Sequence, residues 1–287
     1  MATPINRIVD AHVHFWDPAR KDWYPYLSGG QELNMGDISG MCRYFDADIY
    51  FSESSKWPVQ KVVHVSAAGP FLLAETMERQ EQAKATGHPD AIVGGIIPSA
   101  PIAETEELLD KQMAASQFRG IRPMGGDANP VPNADVLRAL QERNLVFDFM
   151  GHPDDLQAAA AALSDWGDLT VVIEHTGWPH SNSDDEYKVW KEGMSALAAL
   201  GNNVNCKLSG LAMPLGAIDV ELFKPWIRYC LEVFGVDRCM FASNFPVDGM
   251  HGSFDDLYST YDQLTADLDV EDREKVFASN AERVYRC

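Results

Sequence analysis

His12 and His14 stand two residues apart in Asp10-Ala11-His12-Val13-His14, directly after the apolar pair Ile8-Val9. On a strand, residues at i and i+2 share a side, so both imidazoles face one way. Asp10 is expected on that side too, with Val9, Ala11 and Val13 on the other. Polar groups on a buried strand face are costly unless the face lines a site. Paired imidazoles there can bind a metal, relay a proton or polarise a carbonyl.

Other ionisable groups close later apolar runs. One run carries His64 and Ser66 on one face. Others end in Gly120-Ile121-Arg122-Pro123 and in Glu174-His175-Thr176-Gly177. Along Asn203–Gly210, Asn205, Lys207 and Ser209 share one parity. The last run ends in Ala242-Ser243-Asn244-Phe245-Pro246-Val247-Asp248. Taken singly, His64, Arg122 or Lys207 is as well explained by a structural hydrogen bond or an ion pair. His152 and His251 lie beside such ends, whereas His88 and His180 read as solvated loop residues. Convergence of several run ends on one mouth is what argues for a site.

A mouth of this kind needs elements that deliver each end to the same place. Strands are expected at Arg7–His14, Lys61–Ser66, Ala91–Pro98, Phe118–Pro123, Leu145–Met150, Leu169–His175, Asn203–Leu208 and Arg238–Ser243. Helical spacing is clearest at Glu104–Ser116, Ala134–Arg143, Asp154–Leu163, Tyr187–Leu200, Glu221–Phe234, Phe254–Leu268 and Val270–Tyr285. Alternating strands and helices give right-handed βαβ units and a parallel sheet. Eight of them in 287 residues suit a closed α/β barrel, a (β/α)8 TIM barrel, as one domain over 1–287. An open doubly wound sheet is the alternative, but no GxGxxG follows the first strand. The long segment Phe15–Gln60 is rich in aromatics, Trp16 and Tyr26 among them. It would sit at the strand C-terminal face, as a lid or as a packed excursion.

Composition narrows the partners. A net charge of -20 repels nucleic acid and anionic membranes. No apolar run approaches the ~18 residues of a membrane span, and residues 1–7 lack signal-peptide character. The five cysteines include no CxxC pair. Cys206 and Cys239 sit in apolar runs and read as reduced core thiols of a cytoplasmic protein. A small-molecule substrate is the expected partner, and a homo-oligomer is left open.

The ordered series of motifs resembles the amidohydrolase superfamily, in its lactonase-like branch of TIM-barrel hydrolases. The likeness runs from Ile8–Pro18 and Trp23–Leu27 through Gly120-Ile121-Arg122, Glu174–Gly177, Cys206–Gly210 and Met240–Val247 to Asn280–Tyr285. It implies attack of water on a lactone, amide or related carbon. In metal-using members, two first-strand histidines, a sixth-strand histidine and an eighth-strand aspartate surround a divalent ion. The aspartate also takes the proton of the attacking water.

This chain departs at the last position, where Asn244 replaces the aspartate; a neutral amide is no general base and a poor metal ligand. Arg122, in place of a bridging lysine, argues against two metals. Either one Zn²⁺ sits on His12, His14 and His175, or no metal is used and these histidines and nearby cations polarise the carbonyl. The missing carboxylate favours the metal-free form. Asp248 is the expected base, with His12, His14, His175 and Arg122 as its catalytic partners. His64, Lys207, Asn244, Tyr26 and Trp16 are expected to bind a carboxylated or polyhydroxylated lactone. The alternatives are a non-oxidative decarboxylase of a small aromatic or unsaturated acid, and a non-catalytic barrel that binds a small ligand.

Overall fold

Runs of valine and isoleucine buried on both faces make strands that can only sit inside a covered sheet. The computed structural model, which describes residues 4–28, 37–124 and 130–287, shows eight of them, all parallel. They are β1 (Ile8–Val13), β2 (Val59–Val65), β3 (Ala91–Ile96), β4 (Phe118–Pro123), β5 (Val146–Phe149), β6 (Val171–Ile173), β7 (Val204–Leu208) and β8 (Cys239–Phe241). They pair in chain order. At the C-terminal end, a bridge between Val13 and Phe245 joins the first strand to the segment after the last. This is the expected (β/α)8 barrel.

The covering helices are α1 (Ala47–Glu53), α2 (Leu72–Thr86), α3 (Ile102–Gln112), α4 (Ala134–Glu142), α5 (Pro153–Leu163) and α6 (Asp184–Ala198). After β7 come α7 (Ala212–Leu215), α8 (Val220–Phe234), α9 (Phe254–Leu264), α10 (Val270–Glu274) and α11 (Asn280–Tyr285). Apolar periodicity does not reveal α2, because its inward face is polar: Glu75, Thr76, Arg79 and Gln80 are all buried. Inside the barrel, Val9, Ala11, Val63, Val65, Val93, Val146, Val172 and Met240 form one cluster with Ala281, Val284 and Tyr285 of α11. The C-terminal helix thus packs against the barrel interior.

One expectation about β1 is corrected. Its register breaks between Asp10 and Val13. Ala11 joins the interior cluster, and His12 meets groups on the inner faces of β6 and β7. Two successive residues therefore face the axis, as a β-bulge allows. Asp10 points the other way, toward Tyr50 (2.6 Å). Its Oδ1 accepts the backbone N–H groups of His12 (3.2 Å) and Ser243 (2.8 Å), tying the bulge to the end of β8.

The segment after β1 packs as an excursion against the barrel; 29–36 lies outside the described residues. Trp16 and Phe45 exchange backbone hydrogen bonds of 2.9 and 3.0 Å. Tyr24 donates to Glu75 (3.0 Å) and Tyr26 to the Ala67 carbonyl (2.9 Å). Burial alone would raise Glu75, but the His64 ring, the Ser66 hydroxyl and Arg79 outweigh it and hold the carboxyl at about 2. That anion anchors the aromatic segment to the end of β2.

Candidate active site

The ends of β6 and β8 leave regular strand geometry to aim side chains at the mouth. His175, Thr176, Trp178 and Asn244 all have positive φ, from 36° to 57°. Such backbone is strained for non-glycine residues, least so for asparagine, and persists only where its surroundings hold it. The restraints are visible. Trp190 donates to the Thr176 carbonyl (2.7 Å), and the Thr176 hydroxyl donates to the Ser209 carbonyl (3.1 Å). The Asn244 N–H donates to the His12 carbonyl (2.8 Å). Gly210, at φ 69°, makes room for the imidazole: a Cβ there would lie 2.6 Å from the His175 ring. The left-handed turn also explains why the sixth strand stops at Ile173 rather than His175.

A cavity of about 240 Å³ opens at this end of the barrel. His14, Trp16, Tyr26, Arg122, His175 and Asn244, six of the expected site residues, line it. Trp16 stacks parallel on His14 at 5.5 Å, and Trp178 meets the edge of His175 at 5.4 Å. An open cleft of about 600 Å³ between α6 and α8, edged by Lys191 and Tyr229, lies outside the helical ring.

Behind the cavity wall His12 completes the imidazole cluster. Its Nε2 is 3.2 Å from His14 Nε2, and its ring centre is 4.4 Å from that of His175. His14 Nδ1 is held by the Val65 carbonyl (2.8 Å), and His175 Nδ1 by the Ser209 hydroxyl (3.1 Å). All three rings are held well below the usual imidazole range. Burial is the main cause, reinforced by the charges of Arg122 and Lys207 and by the neighbouring imidazoles. They are neutral near pH 7, the form a metal or a substrate dipole requires.

Below His12 runs a buried chain of charges. Arg122 donates to Glu174 (3.3 Å), and Glu174 lies 3.5 Å from His12 Nδ1 and 3.8 Å from Lys207 Nζ. Lys207 is bonded to Asp148, which also accepts from the Tyr285 hydroxyl (2.8 Å). Burial pushes Asp148 up to about 6 against the pull of Lys207.

Asp248 lies fully buried behind Asn244, whose amide N–H it accepts (3.1 Å). Burial pushes its carboxyl up to about 7, opposed by the Asn244 amide and the backbone N–H groups of Gly210 and Ala212. Its Oδ2 and the Asn244 Oδ1 have no hydrogen-bond partner of good geometry.

Two expected substrate contacts do not reach the cavity wall. His64 is fully buried; it accepts the Phe15 N–H (3.2 Å) and faces Glu75 (3.7 Å). Lys207 is spent on the buried charge chain. Lys207 does lie on the inner face of β7, but parity says nothing of its depth. His64 lies on the outer face of β2, because Val63 and Val65 hold the inner positions and its ring turns to Glu75 of α2. Sequence reasoning missed Met41, Met124, Met150, Met213 and Trp178, which line the cavity from strand ends, loops and the short helix α7. Trp178, one residue after the Glu174–Gly177 motif, Met124, one residue after Pro123, and Met150, at the end of the expected fifth strand, carried a positional hint.

Residues 9–287 match the model of the amidohydrolase family. The chain belongs to that family. Its amidohydrolase relatives include an L-fucono-1,5-lactonase of Burkholderia ambifaria, 29% identical over 296 residues, with 97% of this chain and 95% of that protein covered. An L-rhamnono-gamma-lactonase of Scheffersomyces stipitis is 22% identical over 340 residues, covering 97% and 98%. A Burkholderia multivorans amidohydrolase solved with bound zinc superposes with a TM-score of 0.83 at 24% identity, over 97% and 99% of the two chains.

The donor set fits a single divalent ion. Two nitrogens on one tetrahedral zinc, each at ~2.0–2.1 Å, stand roughly 3.3 Å apart. His12 and His14 already stand at 3.2 Å. His12, Glu174 and His175 also bring ligand atoms within 4.8 Å of one another. Each cavity-facing ring has its second nitrogen fixed by a neighbour, the usual support for a metal-bound histidine.

Asn244 bears on the affinity. On the three imidazoles alone an ion would keep both positive charges, with Glu174, already paired to Arg122, as the near carboxylate. Asn244→Asp is therefore expected to tighten zinc binding by at least about tenfold. Calorimetric titration of metal-free protein measures this, and unchanged affinity would place residue 244 outside the ion's reach.

Proposed function

We propose that this amidohydrolase opens the ring of a small lactone by adding water to its carbonyl carbon. The observation that carries the reading is the convergence of neutral His14 and His175, Arg122 and Asn244 on one cavity, backed by the buried Asp248 carboxyl. The lactonase names of several relatives support the same chemistry.

Each residue has a role in the proposal. Asn244 Oδ1, buried without a partner while its amide N–H donates to Asp248, orients the attacking water. Asp248 receives the proton, with a pKa near the working pH as general-base catalysis favours. Arg122 keeps Nε free of any hydrogen bond and stabilises the negative charge that develops on the carbonyl oxygen. The ring C–O bond then breaks, and the leaving oxygen takes the proton back, giving a hydroxy acid. An ion on His12, His14 and His175 would add Lewis-acid polarisation of the carbonyl.

Acid release from a panel of aldonolactones, alkyl lactones and pyrone-type lactones, followed with a pH indicator, tests the reading. At least one class is expected to turn over with kcat/KM in the enzymatic range of about 10⁴ M⁻¹s⁻¹ or above. No release from any class, with carbon dioxide evolved from an aromatic acid, would replace hydrolysis by decarboxylation.

A further inference from the structure

Within the lactone-opening reading, on which this rests, we propose that the substrate is an uncharged, hydroxyl-poor lactone: a ring bearing hydrocarbon, aromatic or aliphatic, with no second acid group. The cavity wall points to this class. Met41, Met124, Met150, Met213, Trp16 and Trp178 make up much of it. Thioether and aromatic groups present soft apolar surface that adapts to hydrocarbon shape.

The polar atoms of the wall are already engaged. The Trp16 indole N–H donates to the Arg43 carbonyl (3.1 Å), and the Tyr26 hydroxyl donates to the Ala67 carbonyl (2.9 Å). One nitrogen of each cavity-facing imidazole is held by Val65 or Ser209. His14 Nε2 lies 3.2 Å from His12 Nε2, and among the buried side-chain atoms of the described residues Arg122 Nε and Asn244 Oδ1 have no partner. Those two atoms suit one carbonyl and one water. The several hydroxyls of a sugar lactone would be buried against methionine with nothing to bond.

Charge gives the second half of the inference. Arg122 is 8% exposed and already paired with Glu174; Lys207 is paired with Asp148. The cations nearest the cavity are thus matched by carboxylates, in a chain of net charge -20. No spare cation among the described residues awaits a substrate carboxylate. A single neutral carbonyl dipole on Arg122 Nε satisfies what is left.

Three δ-lactones of similar size separate the classes: dihydrocoumarin, an aldono-δ-lactone and a carboxylated pyranone. Hydrolysis is followed by acid release. The corresponding ring-closed lactams, which resist opening, are titrated by calorimetry. The hydrocarbon lactone is expected to lead in kcat/KM by about a hundredfold, with its lactam bound most tightly. Met150→Gln, which puts an amide into the wall, is expected to narrow that ratio by about tenfold.

Faster opening of either polar lactone, or a ratio that Met150→Gln leaves unmoved, would overturn the substrate class while leaving lactone hydrolysis intact. Lactams bound in the expected order with no lactone opened would instead overturn the hydrolysis reading and keep the preference of the cavity. No opening and no order of binding would remove both.

Discussion

Asp248→Asn is expected to lower kcat by roughly 10²–10⁴, the usual contribution of a general base, while making the folded protein more stable. The substitution is chosen for what it keeps. An asparagine still offers an oxygen to the Asn244 amide, so the orientation of Asn244 survives. Only the proton acceptor is lost. In the parent protein turnover is expected to rise as pH passes about 7, where Asp248 ionises. In the variant that rise disappears.

Stability moves the opposite way. The folded carboxyl titrates at about 7 and an ordinary one at 3.8, so between those values the folded state holds the extra proton. Stability then falls with rising pH across that window, by about 4 kcal/mol for this group. Asp248→Asn removes the fall: no gain at pH 4, and a gain approaching that size at pH 8. Urea unfolding at both values measures it, beside kcat from pH 5.5 to 8.5. Near-normal turnover with the stability gain intact would leave Asp248 a buried acid without a part in the reaction.

Much of this site was readable from residue order alone. A barrel places every strand end at one mouth, so eight correctly placed strands already bring His14, Arg122, His175 and Asn244 together. Depth along the axis was not readable. Lys207 has the right parity but sits below the mouth, and parity carries no information on that coordinate; His64 faces outward to Glu75 of α2, because Val63 and Val65 hold the inner positions of β2. The side of Asp10 was misread for a different reason. A bulge adds one residue and inverts the alternation, and it is set here by hydrogen bonds to Ser243, more than 200 residues away in the chain. Helix α2 escaped detection because it faces the barrel with Glu75 and Arg79, groups that organise the segment after β1 rather than fill a core. The methionine wall was hidden because its members sit just past strand ends or in single helical turns, too short for periodicity to betray their direction.

Asp148→Leu is expected to cost about 3–5 kcal/mol, because it strands the Lys207 ammonium in the barrel interior. Replacing the whole group together, as Asp148→Leu, Lys207→Met and Tyr285→Phe, is expected to recover most of that loss. The pKa of Asp148 carries the reasoning. Burial lifts it to about 6 in spite of Lys207 and the Tyr285 hydroxyl, so the carboxylate gains less from its partners than it loses by leaving water. An ion pair of that kind is not kept for stability.

Its use lies above it. Lys207 Nζ stands 3.4 Å from His12 Nδ1, and Glu174 Oε1 stands 3.5 Å from the same nitrogen. Lysine calls for a lone pair there, and the carboxylate calls for an N–H. The balance between them sets whether the Nε2 of His12, which faces His14, carries the proton or a free lone pair. The triple variant is therefore expected to unfold at nearly the parent urea concentration yet to lose about ten- to a hundredfold in activity, as when an outer partner of a site histidine is removed. Equal destabilisation in the single and triple variants would make the buried pair a structural element. Full activity in a stable triple variant would detach it from the chemistry of the mouth.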